Sequence, residues 1–447
     1  MRRVLVVSYM FPPVAGVGIE RTLKHVTYLP EHGWQPVVVA PSNPGYRLVD
    51  ASTLDRVPAE TEVHRAPSLE PAHLRRAASQ LLRRVRSPGA PGSSASPSSA
   101  GRRRSGRMGL VNAAWRAYVE RAWFPDEQLG WIPGALATGL AADDRNPVDA
   151  IYSSGPPWSS HLAAAAIQGL TGLPWVADFR DPWIGNAYAS PLPVPHRAAR
   201  AWLERAVVER ARASVFASAG VRDEYATRYP ELASRFLTIH NGYDLEDIAA
   251  VRDSSTASGG TDGAFRIVFT GSIQGIAEAR LLVAGLEHLL ERRPDLRDRL
   301  RLQLVGWLSP AAEAIAGARL TALAPTVERV GQQPKALALR AVADADAALV
   351  LLADQPGRAH VPSAKLFDYL GLDAPVLAVV PDGEVRRILA ELSWGIAADA
   401  TPEGFASGVE RLLDAPASSQ PADPERRFER RALTARLAML LDGVAFR

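Results

Sequence analysis

The sequence predicts an α/β protein built from two doubly wound domains. In both halves, short apolar runs alternate with longer amphipathic stretches, the order that gives βαβ units and parallel sheets covered on both faces. The chain of 447 residues is also too long for one core. A Ser/Gly/Thr-rich stretch separates the two series. We therefore expect a first domain over 1–244, a linker over 245–264, a second domain over 265–424 and a C-terminal helix over 425–447 that packs across both.

Apolar runs with helical stretches between them make up the first domain. The strands are expected at 4–10, 36–40, 62–66, 149–154, 175–179, 214–218 and 236–240. The helices are expected at 18–31, 131–143, 158–170 and 195–212. In folds of this kind, ligands bind beyond the carboxyl ends of the strands.

The second domain repeats the alternation. Its strands are expected at 265–271, 300–306, 327–331, 347–352, 375–380 and 395–398. Its helices are expected at about 277–292, 335–343, 364–371, 384–391 and 403–413. Two domains of this type, placed face to face, predict a cleft between them.

Composition excludes several classes of protein. Cysteine is absent, which excludes disulfides, thiolate metal sites and thiol nucleophiles. A net charge of only +3 is not the strong overall positive charge that is typical of proteins that bind nucleic acid. No apolar run is long enough to span a bilayer, and the apolar stretch 4–7 is too short for a signal peptide. We therefore expect a cytoplasmic protein.

An insertion over 74–107 breaks the pattern. It holds nine arginines and no acidic residue, and 86–106 is low-complexity sequence of the kind expected to be disordered. The stretch 73–86 places apolar residues on one helical face and arginines on another. Such a helix suits an anionic membrane surface, and the alternative is an ordinary half-buried helix in a solvated insertion.

The loop "SYMFPPVAGVGIER" follows the first strand and leads into a helix. A dinucleotide fingerprint needs its first glycine directly at the strand end, but Gly16 lies eight positions after Ser8. The third glycine is missing, and no carboxylate follows the second strand. The loop with Gly16 and Gly18 is therefore either an anion site at a helix N-terminus or a simple connection. Arg21 either meets an anionic ligand or lies on the helix surface.

The stretch "HVPSAKLFDYLGLDAPVLAVV" contains more side chains that could bind a ligand than the glycine loop does. Pro362 and Ser363 suit the start of a helix, where a serine oxygen can cap a backbone N–H. Lys365 lies in the first turn, where a cation opposes the helix dipole unless an anion such as a diphosphate binds there. Asp368 falls on the same face and could hold ribose hydroxyls. The alternative is a surface Lys–Asp pair.

"PSAKLFDYLGLDAPVLA" resembles the donor-binding segment of family-4 glycosyltransferases, retaining enzymes with the two-domain GT-B fold. Further similarities follow in chain order: "SYMFPPVAGVGIER", "SSGPPWSSH", "ADFRDPW", "IHNGYD" and "FTGS". The resemblance covers nearly the whole chain except 74–107. It implies two Rossmann-like domains that face each other across a cleft.

Residue by residue, the resemblance implies a donor site in the second domain. Lys365 would contact the diphosphate of the nucleotide sugar, and Asp368 the ribose hydroxyls. Gly271 and Ser272 would line the pyrophosphate. We assign Ser363 and Arg280 to the same site, with Arg280 in place of a family cation that is not evident in "GSIQGIAEAR".

A second departure concerns the acids of the donor segment. The family often has two carboxylates eight residues apart, and here the corresponding positions are His360 and Asp368, so a histidine replaces the first acid.

The resemblance also implies an acceptor side in the first domain. Gly16, Gly18 and Arg21 would face the transferred sugar or the acceptor. We expect Asp178, Arg180, Asp181 and His161 to be catalytic, since they lie near the carboxyl ends of strands. Asp178 could instead be a buried cap for neighbouring loops, and His161 a structural histidine.

The resulting hypothesis is a retaining glycosyltransferase that uses a nucleotide sugar, with UDP favoured over GDP, on a glycan, lipid-linked or small-molecule acceptor. Polysaccharide biosynthesis and a peripheral location at the inner face of the membrane fit this hypothesis. We expect no other cofactor and no metal, because the Asp344-Ala-Asp346 sequence is better explained by a helix-to-strand turn. Two alternatives stay open: an epimerase or hydrolase of nucleotide sugars with the same fold, and a non-catalytic nucleotide-binding scaffold.

Overall fold

The computed structural model describes residues 1–46, 48–76, 115, 118, 123–186, 194–254, 263–414 and 421–445. Internal contacts divide the chain into two compact units. The first unit comprises Met1–Ile184, Pro191–Ser214 and Ala438–Arg447, and the second comprises Gly185–Ser190 and Val215–Leu437.

A seven-stranded sheet forms the first series, in the order β3-β2-β1-β4-β5-β6-β7. Its strands are β1 Arg2–Val7, β2 Trp34–Pro41, β3 Glu62–Ala66, β4 Ala150–Gly155, β5 Trp175–Phe179, β6 Ala213–Phe216 and β7 Phe236–Thr238. The pairs among β1 to β5 are parallel, with Val6 opposite Val38 on one side and Tyr152 on the other. β1 and β2 are almost wholly buried, as expected for strands covered on both faces.

In the described residues, these strands are connected by the helices α1 Glu20–Tyr28, α2 Ile132–Arg145, α3 Ser159–Thr171, α4 Val194–Arg210 and α5 Ala219–Arg228. The Ser218 side chain caps α5 by accepting a hydrogen bond from the backbone N–H of Val221. Gly172, with φ of 72°, ends α3 in the left-handed conformation that glycine adopts without strain.

A six-stranded sheet lies in the second unit, in the order β10-β9-β8-β11-β12-β13. Its strands are β8 Phe265–Thr270, β9 Leu300–Val305, β10 Val327–Arg329, β11 Ala347–Leu351, β12 Val376–Val379 and β13 Ile396–Ala398. All its pairs are parallel. The chain order reverses between β8 and β11, and such a reversal opens a crevice at the carboxyl ends of these two strands.

The helices of the second series are α6 Leu245–Ser254, α7 Ile276–Arg292, α8 Leu296–Arg299, α9 Pro310–Ala322, α10 Lys335–Ala343, α11 Lys365–Gly371, α12 Glu384–Leu392, α13 Pro402–Asp414 and α14 Arg430–Ala445. Apolar residues of β8, β9, α7 and α13 form the core on one face of the sheet. Those of β11, β12 and α11 lie in the core on the other face.

The C-terminal helix α14 contributes to both units, since Leu437 and the residues before it are assigned to the second unit and Ala438 onwards to the first. Within the first unit, the Trp34 Nε1–H donates to Asp442 Oδ1 at 2.7 Å. Arg2 forms an ion pair with the same carboxylate at 2.6 Å. The start of the first sheet is therefore tied to residues near the end of the chain.

The two sheets confirm the predicted fold class. Within the predicted linker, residues 245–254 form α6, in which Ile248 and Val251 are buried. The sequence analysis also did not predict α5 and α9, because the sequences of these two helices show only a weak apolar periodicity. Residues 77–114, which hold most of the basic insertion, lie outside the described part of the chain. Within the described ranges, no helix combines the length and the apolar character that a membrane span requires.

Candidate functional site

Lys365 lies at the crevice between β8 and β11, where the sequence placed it. It is the first residue of α11, and its Nζ lies 3.4 Å from the centroid of the Phe269 ring. Burial, assisted by the positive charge of Arg358, lowers the pKa of Lys365 to about 7. The amine is thus held in a place that disfavours its own charge, and an anion beside it would remove that penalty.

Arg358 is the second cation of this crevice, and the sequence analysis did not find it. Its side chain is buried and pairs with Glu278, Nη2 to Oε1, at 2.7 Å. Burial lowers the pKa of Arg358 to about 10. Arg280, which we expected in this role, is exposed on α7. The missed signal was an arginine in the loop that leads from β11 to α11, two residues before His360.

Gly271 directly follows β8 and brings bare backbone to the crevice. Its φ of +94° favours glycine, and a Cβ there would lie 3.6 Å from the Lys365 Nζ. A Cβ on Gly306 would come within 1.8 Å of the Gly271 carbonyl oxygen, so the loops after β8 and β9 touch backbone to backbone. Ser272 is half-buried and accepts a hydrogen bond from Gln274 Nε2 at 3.2 Å.

Tyr369 fastens α11 to the end of β8. The backbone N–H of Thr270 donates to the Tyr369 hydroxyl at 3.0 Å, and the Thr270 hydroxyl lies at the same distance. Asp368 is half-buried on the same helix, three residues after Lys365. Ser363 is not a side-chain cap as predicted, because Ala364 is the N-cap residue and no side chain bonds the first turn.

An exposed tryptophan lies at the neighbouring strand end. Trp307 follows Gly306 after β9, is 45% exposed and accepts a hydrogen bond from the Ile273 backbone N–H through its carbonyl. The sequence analysis passed over it, because a single tryptophan carries no motif.

Asp178 lies at the end of β5 in the first unit and is fully buried. Arg21 donates to it twice, from Nε to Oδ2 at 2.7 Å and from Nη2 to Oδ1 at 2.8 Å. The Tyr152 hydroxyl donates to Oδ2 at 2.5 Å. Burial alone would raise the pKa of Asp178, but Arg21 outweighs it and lowers that pKa. Arg21 therefore does not lie on the helix surface, and its Nε and Nη2 are paired with Asp178.

His161 is also fully buried. Its Nδ1 lies 2.8 Å from the Ser153 Oγ, which in turn accepts a hydrogen bond from Trp175 Nε1. Burial lowers the pKa of His161 to about 3, so the imidazole is neutral at physiological pH. This arrangement supports the structural alternative for His161.

Arg180 and Asp181 directly follow β5, at the carboxyl end of that strand. The Arg180 guanidinium donates to the carbonyl oxygens of Gly18 and Pro156, so it fastens the glycine loop to the loop after β4. Asp181 is half-buried beside it. Burial raises the pKa of Asp181, and the charge of Arg180 opposes that rise.

Gly16 has a φ of +99°, and its loop is held by a hydrogen bond from the Ala15 backbone N–H to the Leu48 carbonyl. The structure thus brings Lys365 and Gly271 together with Arg358, and it turns Arg21 and Asp178 into a buried pair. Among the described residues, no group of three or more His, Asp or Glu side chains is assembled for a metal ion.

Residues 93–247 match the family model described as Glycosyltransferase Family 4. The chain is also 32% identical over 128 residues to a D-inositol 3-phosphate glycosyltransferase of Kribbella flavida. That alignment covers 28% of this chain and 30% of the relative, so the chain matches under a third of the length of this curated relative.

Solved structures show the same fold over the whole chain. A glycosyltransferase from Rickettsia africae matches with a TM-score of 0.62 at 11% identity, covering 99% of this chain and 98% of its own. Anabaena HepE, solved in complex with UDP and glucose, matches with a TM-score of 0.54 at 11% identity, covering 100% and 97% of the two chains. These findings confirm the GT-B fold and the resemblance to family-4 glycosyltransferases.

Proposed function

We propose that this chain, whose resemblance to family-4 glycosyltransferases is confirmed, transfers a sugar from a nucleotide sugar to an acceptor hydroxyl. The single observation that carries the proposal is the crevice at the ends of β8 and β11. There, Lys365, Arg358 and the bare backbone of Gly271 converge.

A diphosphate fits this crevice by charge. Arg358 lies close enough to lower the pKa of Lys365, and its own charge is already paired with Glu278. The charged form of Lys365 is therefore the group that an anionic ligand would stabilise most. The negative charge on the diphosphate grows as the bond to the sugar breaks. Fixed cations and N–H groups at that place lower the barrier to transfer.

The nucleoside would extend from the diphosphate along the strand ends. Asp368 lies one helical turn after Lys365, where a carboxylate can accept hydrogen bonds from ribose hydroxyls. Trp307 offers an exposed aromatic face beside the loop of Gly271, and such a face can stack on a base. We favour UDP over GDP, in keeping with the resemblance.

On the acceptor side we assign the proton-accepting role to Asp181 rather than to Asp178. Burial raises the pKa of Asp181, which moves it toward the range of a general base. The carboxylate of Asp178 is already satisfied by Arg21 and Tyr152. Retention of configuration follows from the resemblance, and independence of metal follows from the interpretation of Asp344-Ala-Asp346 as a helix-to-strand turn. Both belong to the proposal.

We also propose that the acceptor is a glycan, a lipid-linked sugar or a small molecule of a polysaccharide pathway, reached at an anionic membrane surface through 73–86. Deletion of 73–107 then abolishes salt-sensitive binding to vesicles of anionic phospholipid. Unchanged binding after the deletion contradicts the membrane part of the proposal and leaves the transfer reaction untouched.

The first experiment compares thermal unfolding with UDP, GDP, ADP and NAD at matched concentrations. A nucleotide at 100 times its Kd adds roughly 2.7 kcal/mol to the free energy of unfolding. We expect UDP to stabilise the protein and Lys365→Met to remove the effect. Lys335→Met is the matched control, because Lys335 also begins a helix but pairs at the surface with Asp247. Stabilisation by NAD alone, or by no nucleotide, contradicts the proposal.

Turnover separates the alternatives. The proposal expects transfer to an acceptor that Lys365→Met abolishes and Lys335→Met does not. Consumption of the nucleotide sugar at the same rate with and without acceptors indicates an epimerase or a hydrolase instead. Tight binding without any turnover across a broad acceptor panel indicates a scaffold.

A further inference from the structure

A cavity of about 690 Å³ lies in the second unit, outside the crevice of Lys365. It is bounded by α5 and by the loops that precede α11 and α12. The side chains that line it include Asp223, Glu224, Arg228, His360, Asp382 and Arg387. Its volume is in the range of small-molecule sites, and the proposed diphosphate site does not account for it.

His360 is held in this cavity from three directions. Its carbonyl accepts a hydrogen bond from the Ser218 hydroxyl. Its ring lies against Gly220, where a Cβ would come within 2.7 Å of Nδ1. Its Nε2 lies 3.3 Å from Glu224 Oε1. The first contact fixes the backbone of His360, the second limits the room around its ring, and the third joins the ring to a carboxylate that also lines the cavity.

The helix that carries Glu224 is itself fixed. Glu384 accepts hydrogen bonds from the backbone N–H groups of Ala219 at 3.0 Å and Gly220 at 3.1 Å, and from His240 Nε2 at 2.9 Å. Burial alone would raise the pKa of Glu384, but these hydrogen bonds outweigh it and lower the pKa to about 2. The N-terminal turn of α5 is thereby anchored to the start of α12, which sets the position of Glu224.

The charged side chains that line the cavity determine which kind of ligand it can bind. Its lining includes the carboxylates of Asp223, Glu224 and Asp382 and two guanidinium groups. Asp223 also pairs with Arg222, and Arg387 pairs with Glu384. Because carboxylates outnumber guanidinium groups, this lining favours a phosphate less than the crevice of Lys365 does. Carboxylate oxygens and an imidazole nitrogen instead suit the hydroxyl groups of a sugar, because each can accept a hydrogen bond from an O–H.

The chain connects the two places. His360 lies five residues before Lys365, in the loop that enters α11. The same loop therefore leads from a residue that lines the cavity, His360, to the residue proposed to bind the diphosphate, Lys365.

We propose that Glu224, held by His360, is a specificity-determining residue that recognises hydroxyls of the transferred sugar. The carboxylate that the resemblance leads us to expect at position 360 is supplied from α5 instead. This inference rests on the proposed function. It states that the cavity binds the sugar of the donor and not its nucleotide.

The test separates the sugar from the nucleotide. Calorimetry measures the Kd of UDP and of UDP-glucose, and of GDP and GDP-mannose, for the wild type, for Glu224→Gln and for the control Glu313→Gln. Glu313 is a carboxylate outside the cavity that pairs with Arg329. Glu224→Gln should leave the Kd of the nucleoside diphosphate unchanged and weaken binding of the matching nucleotide sugar at least tenfold.

A double variant tests the pairing. Glu224→Gln combined with His360→Glu returns a carboxylate to the loop and should restore most of the lost affinity for the nucleotide sugar, which a merely structural role of Glu224 does not predict. Equal weakening of both ligands, equal affinity in all variants, or no rescue overturns the inference and leaves the proposed function intact. If neither diphosphate nor either nucleotide sugar binds the wild type, the proposed function fails and the inference falls with it.

Discussion

Arg21 and Asp178, 157 positions apart in the chain, form a two-point ion pair that is shut off from solvent. The pair joins the start of α1 to the end of β5. Taking two charges out of water costs free energy that good geometry and further hydrogen bonds must offset. Here the Tyr152 hydroxyl supplies one of those hydrogen bonds. The pair therefore ties the helix that follows the glycine loop to the fifth strand of the sheet.

Removal of one partner should destabilise the protein strongly. Asp178→Asn or Arg21→Met leaves a buried charge without its partner, which costs about 3–5 kcal/mol. Chemical denaturation checks both variants. The double variant should cost less than the sum of the two single losses. Additive losses would mean that the two side chains contribute independently and would contradict a coupled pair.

His161 should make the protein sensitive to mild acid. Its pKa is about 3 in the folded chain against an ordinary value of 6.5, so the unfolded chain binds more protons between these values. The free energy of unfolding therefore falls as the pH drops through this window, by at most about 1.4 kcal/mol per pH unit. In His161→Gln the decline between pH 6.5 and 5 should become shallower.

His288→Gln serves as the control for that measurement, because His288 is a half-buried histidine of α7. The same pH dependence in the wild type and in His161→Gln would show that His161 is not the group responsible.

Lys365 should couple nucleotide binding to proton uptake. With a pKa of about 7 in the free protein, the amine is largely neutral at pH 8, and a bound diphosphate favours its charged form. Affinity for UDP should therefore fall as the pH rises above 7, by up to tenfold per unit. Calorimetry at pH 8 in two buffers of different ionisation enthalpy should give close to one proton taken up by the wild type and by Lys335→Met, and close to none by Lys365→Met. Uptake that survives in Lys365→Met assigns the proton to another group.

Asp181→Asn should separate chemistry from binding. If Asp181 accepts the proton of the acceptor hydroxyl, the variant loses about 10²- to 10⁴-fold in kcat, with UDP binding and the midpoint of thermal unfolding unchanged. Asp144→Asn, on the exposed surface of α2, controls for the loss of one negative charge. Full activity in Asp181→Asn would remove the residue from the reaction.

The helix rules placed Lys365 in the first turn of a helix, and the structure begins α11 there. Gly271 was indicated by the resemblance, and the structure places it directly after β8. The pattern of short apolar runs located the strands over 62–66 and 175–179 to the residue. Local pattern and tertiary structure agree at these positions.

Arg358 and Glu224 could not be found in this way. Arg358 lies in a loop, and its buried side chain pairs with Glu278, 80 positions earlier in the chain. No local pattern in the sequence connects these two residues. Glu224 lies on a helix with little apolar periodicity, and only the fold brings it to His360. Arg21 shows the opposite case. From the sequence, an arginine on a helix after a glycine loop is expected to be exposed, but in the structure it is buried and pairs with Asp178 of β5.

The hydrogen bond between Trp34 and Asp442 spans 408 positions. During synthesis, β1 and β2 leave the ribosome long before α14 does. Until residue 442 emerges, the buried indole N–H of Trp34 has no carboxylate to bind, and Arg2 lacks the same partner. The first unit can thus begin to fold early but completes its packing only after the whole of the second unit has been translated. A chain that is truncated after residue 437 and released from the ribosome should contain the whole second unit but leave the first one without Asp442.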